Sequence, residues 1–167
     1  DRPNEPKNWS IARFLDEIKT LTSILNLTKI NLFGNSWGGT LSAAYAATKP
    51  ANLNRLILSS TLICTSTWIK DSHVLRANLP NETSSVMEIC ENRGDTDSQE
   101  YRDAVDIFYK THLCRADPWP DPVLKTMSLI NSVCYEGMWG PNEFTCNGIL
   151  KNYDGSKDLH KIGVPTL

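Results

Sequence analysis

The five residues from Gly34 to Gly38 form the pattern Gly-x-Ser-x-Gly, with Ser36 at its centre. A short apolar run precedes this pattern and a run of small residues follows it, which is typical of a strand, a tight turn and a helix. In that setting the serine occupies a strained bend with an exposed hydroxyl, and both flanking positions are expected to require glycine because neighbouring backbone approaches them closely. The backbone N–H of Trp37 would donate a hydrogen bond to an oxyanion. The sequence therefore predicts that Ser36 is the nucleophile of an acyl transfer.

The segments around this pattern predict a parallel α/β sheet. A helical period of apolar residues starts after Ser10, a plausible N-cap, and ends at Asn26. Short strands are expected at 29–33 and 56–58, with a helix of small residues at 41–47 between them. Helix, strand, helix, strand at these lengths indicates parallel pairing, with helices covering both faces of the sheet.

From residue 68 to residue 147 the sequence has helical periodicity and little strand signal. Such a block between two segments of a sheet is most simply a helical cap. One helix in it has an apolar face formed by Tyr101, Val105, Phe108 and His112 or Leu113. Two capping boxes would suit its start, and the next helix would begin with an N-cap followed by proline at N1. The residues concerned are Thr96 with Gln99, Asp97 with Glu100, and Asp121 with Pro122.

Several segments resemble the proline iminopeptidases, a peptidase branch of the α/β-hydrolases, and most closely the tricorn-interacting-factor type of aminopeptidase. The similarity is carried by Gly-Asn-Ser-Trp-Gly-Gly-Thr-Leu at 34–41 and by Met-Trp-Gly-Pro-Asn-Glu-Phe at 138–144. It covers nearly the whole chain in order, with further matches at 1–3, 54–60, 108–115 and 164–167. The resemblance implies an α/β-hydrolase fold with a mostly parallel sheet and an inserted all-helical cap. We expect a partial core at 1–66, the cap at 67–152, and a return to the next sheet strand at 153–167.

The resemblance also implies roles for cap residues. Glu143 matches the glutamate that binds the free α-amino group of the substrate. A carboxylate suits that task because it binds an ammonium favourably at a fixed distance from the nucleophile. Trp139 and Tyr135 would line the pocket for an apolar or prolyl side chain. A surface carboxylate remains the alternative for Glu143, and ordinary packing within the cap remains the alternative for the two aromatic residues.

Other parts of the family pattern are expected outside these residues. A His-Gly-Gly-Pro-Gly loop, which supplies the second oxyanion donor, would precede Asp1. The acid of the triad would follow Leu167, with the histidine later still, because the order in this fold is serine, acid, histidine. Asp154 and His160 have that order but stand only six residues apart and before the last strand, so they are poor substitutes. His73 and His112, on predicted cap helices, are read as structural or solvated, and the chain as given is expected to be inactive alone.

The resemblance implies a serine aminopeptidase that acts on short peptides with a free N-terminus and releases residues such as proline. Two alternatives stay open. The same fold could act on esters or lactones, because the turn around Ser36 does not distinguish acyl donors. The chain could also be a non-catalytic truncated product.

Composition limits the classes of partner, cofactor and cellular location that the sequence allows. A formal charge of −2 gives no case for nucleic acid or an anionic membrane as a partner, and no apolar stretch is long enough to span a bilayer. No pattern for a metal or a nucleotide is found, so no cofactor is expected. The five cysteines are widely spaced and odd in number, which favours free thiols in a reducing compartment and a cytoplasmic location. Sequons at Asn8, Asn26 and Asn81 leave a secretory route open, and the oligomeric state is not predicted.

Overall fold

Two parallel strands joined by one helix form the part of the structure that carries the Gly-x-Ser-x-Gly turn. The computed structural model describes residues 5–167. Strand β1 (Ile30–Asn35) pairs in parallel with β2 (Leu53–Ser59), and helix α2 (Trp37–Ala47) connects them. The predicted order of strand, helix and strand is therefore confirmed, with both strands slightly longer than expected. The match of residues 1–3 to the family lies outside the described residues.

The two faces of this sheet differ. Leu32 pairs with Leu56 in the register of the strands, and both pack in a cluster with Ala46 of α2. On the opposite face Phe33 pairs with Ile57, and these side chains are 63% and 39% exposed. The expectation that helices cover both faces is therefore wrong for residues 5–167. Only the face that alternates toward α2 is covered, because side chains of successive strand residues point to opposite sides.

Helix α1 (Ile11–Ile24) precedes β1 and begins where the sequence predicts. The Ser10 hydroxyl accepts a hydrogen bond of 3.2 Å from the Arg13 N–H, which satisfies one of the free donors of the first turn. Asn26, with a φ of 51°, follows its end in the left-handed region. Leu21 is 58% exposed, so the predicted apolar stripe is covered by neighbouring residues only along the first part of the helix.

Five α-helices lie between β2 and the last segment of the chain. They are α3 (Thr65–Ala77), α4 (Asn81–Arg93), α5 (Gln99–His112), α6 (Asp121–Leu129) and α7 (Ser132–Met138). The predicted face of α5 is confirmed, because Tyr101 and Phe108 are buried in a cluster with Met87 of α4 and with Phe144. A second cluster joins Trp9, Leu62, Met138, Trp139 and Leu150, and so packs the end of α7 against the chain after β2.

Both helix starts predicted within this block are wrong by one or two residues. Ser98 is the N-cap of α5, and its hydroxyl accepts from the Tyr101 N–H, so neither predicted capping box forms. Pro120 is the N-cap of α6, which places Asp121 at N1 and Pro122 at N2. The proline tolerates the second position as well as the first, because the N–H groups of the first turn have no partner inside the helix.

The last residues extend the sheet on the free side of β2. The Leu56 N–H donates to the Pro165 carbonyl at 3.0 Å, and the Leu167 N–H donates to the Leu56 carbonyl at 3.1 Å. These hydrogen bonds place residues 165–167 beside β2, and the proposed domain boundaries, with the return to the sheet at 153–167, stay predictions. All five cysteines are free thiols. Within residues 5–167 no helix combines the length and the apolar character needed to cross a membrane.

Candidate active site

Ser36 lies at the bend between β1 and α2, with φ 51° and ψ −121°. A residue other than glycine in this region costs about 1–3 kcal/mol, so the surrounding structure must hold it there. The Ser36 N–H donates to the Ser59 carbonyl at 2.9 Å, and the Ser36 carbonyl accepts from the N–H groups of Gly39 and Thr40. The Ser36 side chain makes no capping hydrogen bond to α2, so capping does not occupy its hydroxyl. The sharp bend expected from the sequence is present, and the catalytic role of Ser36 stays a prediction.

The glycines around Ser36 that have no room for a side chain are not the two that the sequence predicts. A Cβ on Gly34 would collide with the carbonyl oxygen of Gly38 and with the Ser42 hydroxyl. A Cβ on Gly38 would meet nothing within 4 Å, so the expectation that both flanking positions are crowded is wrong at Gly38. The second crowded position is Gly39, where a Cβ would collide with the Thr61 side chain. Close approach thus requires glycine before the serine and on the inner side of α2.

Trp37 is the first residue of α2, and its backbone N–H therefore has no carbonyl partner inside the helix. Free N–H groups at this end, together with the helix dipole, favour negative charge near the Ser36 hydroxyl. The Trp37 ring packs edge-on against Phe14 of α1, with the ring centroids 5.7 Å apart. This contact fixes the start of α2 against the preceding helix.

A cavity of about 410 Å³ opens beside Ser36 and brings all five predicted site residues together. Its wall combines the carboxyl end of β1, the start of α2, part of α3 and the segment from α6 to residue 150. The lining residues are Asn35, Ser36, Trp37, Leu62, Trp68, Ile130, Asn131, Cys134, Tyr135, Met138, Trp139, Glu143 and Leu150. Sites in open α/β sheets lie at the carboxyl ends of the strands, which agrees with this position.

Glu143 is the one lining residue with a carboxylate, and no lysine or arginine is found among the lining residues described. The Tyr135 hydroxyl donates to Glu143 Oε1 at 2.9 Å, and the Trp68 indole N–H donates to the Glu143 carbonyl at 2.9 Å. Burial raises the pKa of Glu143, and the hydrogen bond from Tyr135 opposes part of that rise. Burial and the nearby Glu143 carboxylate raise the pKa of Tyr109 to about 12. A carboxylate in such a cavity is a natural receptor for a cation.

Trp139 and Tyr135, the two aromatic residues expected in the pocket, both line the cavity and pack within the cap. Trp139 lines the cavity but is only 7% exposed, and it packs edge-on against Trp68 at 6.3 Å. Its indole N–H donates to the Asn142 carbonyl at 2.8 Å, so the ring also shapes the loop before Glu143. Tyr135 contacts Glu143 directly. Core packing and pocket lining are therefore compatible for these residues.

The histidines lie apart from the cavity. His160 is exposed, and the Asp154 carboxylate, six residues earlier in the chain, accepts from the Ser156 N–H at 3.0 Å. His112 packs against Phe108 with the ring centroids 5.0 Å apart, and His73 is exposed. The lining residues within 5–167 include neither a histidine nor an aspartate. The same part of the chain holds no group of three or more residues suited to a metal ion.

Three residues around Glu143 were not anticipated from the sequence: Trp68, Tyr109 and Asn142. Trp68 and Tyr109 belong to helices far from Glu143 in the chain. Asn142 is adjacent to Glu143, but sequence periodicity does not show which way its side chain points. Trp68, for example, is 75 residues from its partner. Trp68, a bulky aromatic residue near the start of α3, was the one sequence feature that could have indicated a role, and it does not show which residue it contacts.

Comparison with known proteins identifies the fold. A family model described as the alpha/beta hydrolase fold matches residues 1–99. A proline iminopeptidase of Heyndrickxia coagulans is 36% identical over 168 residues, covering 100% of this chain and 58% of the relative. A proline iminopeptidase of Saccharolobus solfataricus is 38% identical over 169 residues, covering 100% of this chain and 54% of the relative. The chain thus spans little more than half the length of these curated relatives.

Two solved structures give the same result in three dimensions. The crystal structure of a proline iminopeptidase from Mycobacterium smegmatis superposes with a TM-score of 0.88 at 28% identity, covering 99% of this chain and 56% of that one. The crystal structure of VinJ superposes with a TM-score of 0.91 at 34% identity, covering 96% of this chain and 55% of that one. The predicted α/β-hydrolase fold and the resemblance to the proline iminopeptidases are confirmed.

Proposed function

Because the chain belongs to the α/β hydrolase fold family, we propose that the complete protein containing it is a serine aminopeptidase. Its substrates would be short peptides with a free N-terminus, from which it releases residues such as proline. The observation that carries the proposal is that Ser36 and Glu143 line one cavity in which the described residues offer no other charged side chain. The names of the relatives from Heyndrickxia coagulans and Saccharolobus solfataricus support the same activity.

In this mechanism Ser36 Oγ attacks the carbonyl carbon of the first peptide residue and transfers its proton to a histidine base. The resulting oxyanion accepts a hydrogen bond from the Trp37 N–H, aided by the dipole of α2. Collapse of this intermediate breaks the peptide bond, and the leaving amine takes the proton from the histidine. Water then attacks the ester on Ser36 and releases the amino acid.

Glu143 would select substrates by their α-ammonium group. A charged carboxylate in a largely apolar cavity gains strongly from a cation that replaces lost water, whereas a blocked N-terminus offers no such compensation. The Tyr135 hydroxyl holds one carboxylate oxygen in place, which leaves the other available to the ammonium. The fixed position of this charge relative to Ser36 would direct attack to the first carbonyl alone.

The base and the acid of the triad are assigned to other parts of the complete protein, since the described cavity residues include neither type. The oxyanion donor that complements Trp37 is assigned in the same way. It follows that the 167 residues alone should hydrolyse substrate negligibly. Binding of an amine by Glu143 does not depend on those groups.

The test uses the complete protein and a prolyl or alanyl arylamide. We expect cleavage by the unaltered protein and its loss, by roughly a thousandfold or more, in Ser36→Ala. Ser85→Ala, an exposed position on α4, is the matched control and should retain activity. Full activity of Ser36→Ala would remove the proposal. Activity on esters or lactones would use the same serine but not the charge of Glu143.

A further inference from the structure

Four side chains form a hydrogen-bonded chain from α3 to the loop that carries Glu143. Arg76 of α3 pairs with Glu91 of α4 through two contacts of 2.9 Å. The Tyr101 hydroxyl of α5 donates to Glu91 Oε1 at 2.8 Å and accepts from Asn142 Nδ2 at 3.0 Å. We name Arg76, Glu91, Tyr101 and Asn142 the cap network. It links three helices to the residue before Glu143.

Asn142 fixes the loop by using both ends of its amide. Its side chain is 1% exposed, and its Oδ1 accepts from the Phe144 N–H at 3.2 Å while Nδ2 donates to Tyr101. Its backbone carbonyl accepts from the Trp139 indole at 2.8 Å. Every strong hydrogen-bonding group of the side chain except one amide hydrogen thus has a partner. A buried amide so constrained leaves the loop little freedom to move.

Glu143 is held from both sides by this arrangement. Asn142 precedes it, and Phe144, which follows it, is 1% exposed beneath the Arg76 guanidinium at 5.3 Å from the ring centroid. Arg76 therefore acts on both neighbours of Glu143, through hydrogen bonds on one side and a cation–π contact on the other. None of the four network residues lines the cavity, so their effect on a ligand is indirect, through Glu143 or through Trp139, whose indole N–H donates to the Asn142 carbonyl.

We propose that Tyr101 and Asn142 are positioning residues that set the place of the Glu143 carboxylate relative to Ser36. The inference rests on the proposed function, since it assigns Glu143 to the substrate ammonium. The Tyr101 hydroxyl is protonated at neutral pH, and burial and the hydrogen bond to Glu91 raise its pKa further, so it remains a donor to Glu91. Loss of this hydroxyl leaves the buried Asn142 amide without its acceptor, and the loop relaxes to find another.

The experiment measures two substrates with the complete protein: a prolyl arylamide, which has an ammonium, and 4-nitrophenyl acetate, which has none. In Tyr101→Phe the ring still fills its place in the core. We expect KM for the arylamide to rise about tenfold, the effect of one unsatisfied buried group, with 4-nitrophenyl acetate hydrolysis within about twofold of the original rate. Tyr45→Phe is the matched control, since it removes a buried hydroxyl that bonds Asn52 at 2.9 Å and should leave the ratio of the two activities unchanged.

Two results would overturn the inference: an unchanged arylamide KM in Tyr101→Phe, or an equal loss on both substrates. If Tyr101→Phe loses cooperative thermal unfolding, Asn142→Ala decides in its place, because it removes the side chain that bonds Tyr101 and the Phe144 N–H without placing a new charge in the buried network. It should raise the arylamide KM selectively, and an unselective effect would count against the network. Failure of the proposed function is seen separately, as arylamide cleavage in the parent that Glu143→Gln does not affect.

Discussion

The Tyr135 hydroxyl donates a hydrogen bond of 2.9 Å to Oε1 of Glu143, and both side chains line the cavity that also exposes Ser36. This pair joins α7 to the loop that follows it. The contact holds a carboxylate whose burial disfavours its charge. A buried carboxylate is retained in a cavity at a cost in stability, which is understandable where the charge serves recognition.

The first prediction separates a peptidase from an esterase. Glu143→Gln keeps the shape and the hydrogen bond from Tyr135 but removes the charge that an ammonium needs. We expect kcat/KM for a prolyl arylamide to fall about a hundredfold, with ester hydrolysis nearly unaffected. Kinetics of the complete protein on both substrates measure this. Glu136→Gln, at an exposed position of α7, is the control, and an equal fall on both substrates would favour a structural role for Glu143.

The second prediction concerns pH. The pKa of Glu143 is raised, and the charged form is the one that binds ammonium, so affinity should fall as pH decreases through that raised pKa. The loss should begin at a higher pH than an ordinary glutamate would give. The ratio of arylamide to ester kcat/KM cancels the histidine titration common to both reactions. A ratio that stays flat down to the pKa range of an exposed glutamate would contradict this assignment.

The third prediction concerns stability. For a carboxyl group with a raised pKa in the folded state, the stabilising contribution is present below the unfolded pKa and is lost as pH rises through the folded pKa. At pH 7 the buried charge therefore opposes folding. We expect Glu143→Gln to be as stable as the parent or more stable by about 1 kcal/mol, with the difference shrinking in acid. Thermal unfolding of the parent and the variant at pH 7 and in acid measures this difference in stability. A lower Tm of the variant at pH 7 would be inconsistent with a charge that burial penalises.

The fourth prediction compares two glycines on either side of Ser36. Gly34→Ala forces a Cβ against the Gly38 carbonyl and should destabilise the protein by about 1–3 kcal/mol or prevent folding. Gly38→Ala places its Cβ in open space within the first turn of α2, and should be neutral or stabilise by about 0.5–1 kcal/mol. Denaturant unfolding of both variants gives the comparison. Equal destabilisation would show that Gly38 is crowded after all.

The parts of the fold that sequence reasoning predicted well depend on local rules. The strand before Ser36, the helix after it and the cap at Ser10 follow from periodicity and from hydrogen bonds between near neighbours. The start of α5 was missed because Ser98, Thr96 and Asp97 are all residues that favour the N-cap position, and local preference does not choose Ser98 among them. The exposed face at Phe33 was missed because an apolar pattern shows which residues favour burial and does not show what covers them.

The candidate site divides in the same way. The motif and the family resemblance predicted Ser36, Trp37, Tyr135, Trp139 and Glu143 as site residues, and the structure brings these residues to one cavity. The contacts of Trp68 and of the cap network were not predictable, because they join residues far apart in sequence through side-chain directions. The crowding at Gly39 depends on Thr61 of the segment after β2, which no local pattern reveals.

A covalent probe can label the nucleophile and show whether an amine protects it. The complete protein is treated with a fluorophosphonate, and the modified residue is located by peptide mass spectrometry. We expect the adduct on Ser36, slowed by L-prolinamide in the parent protein and not slowed in Glu143→Gln. An active protein with Ser36 unmodified, or protection by L-prolinamide that survives Glu143→Gln, would contradict the claim that Ser36 and Glu143 form one site.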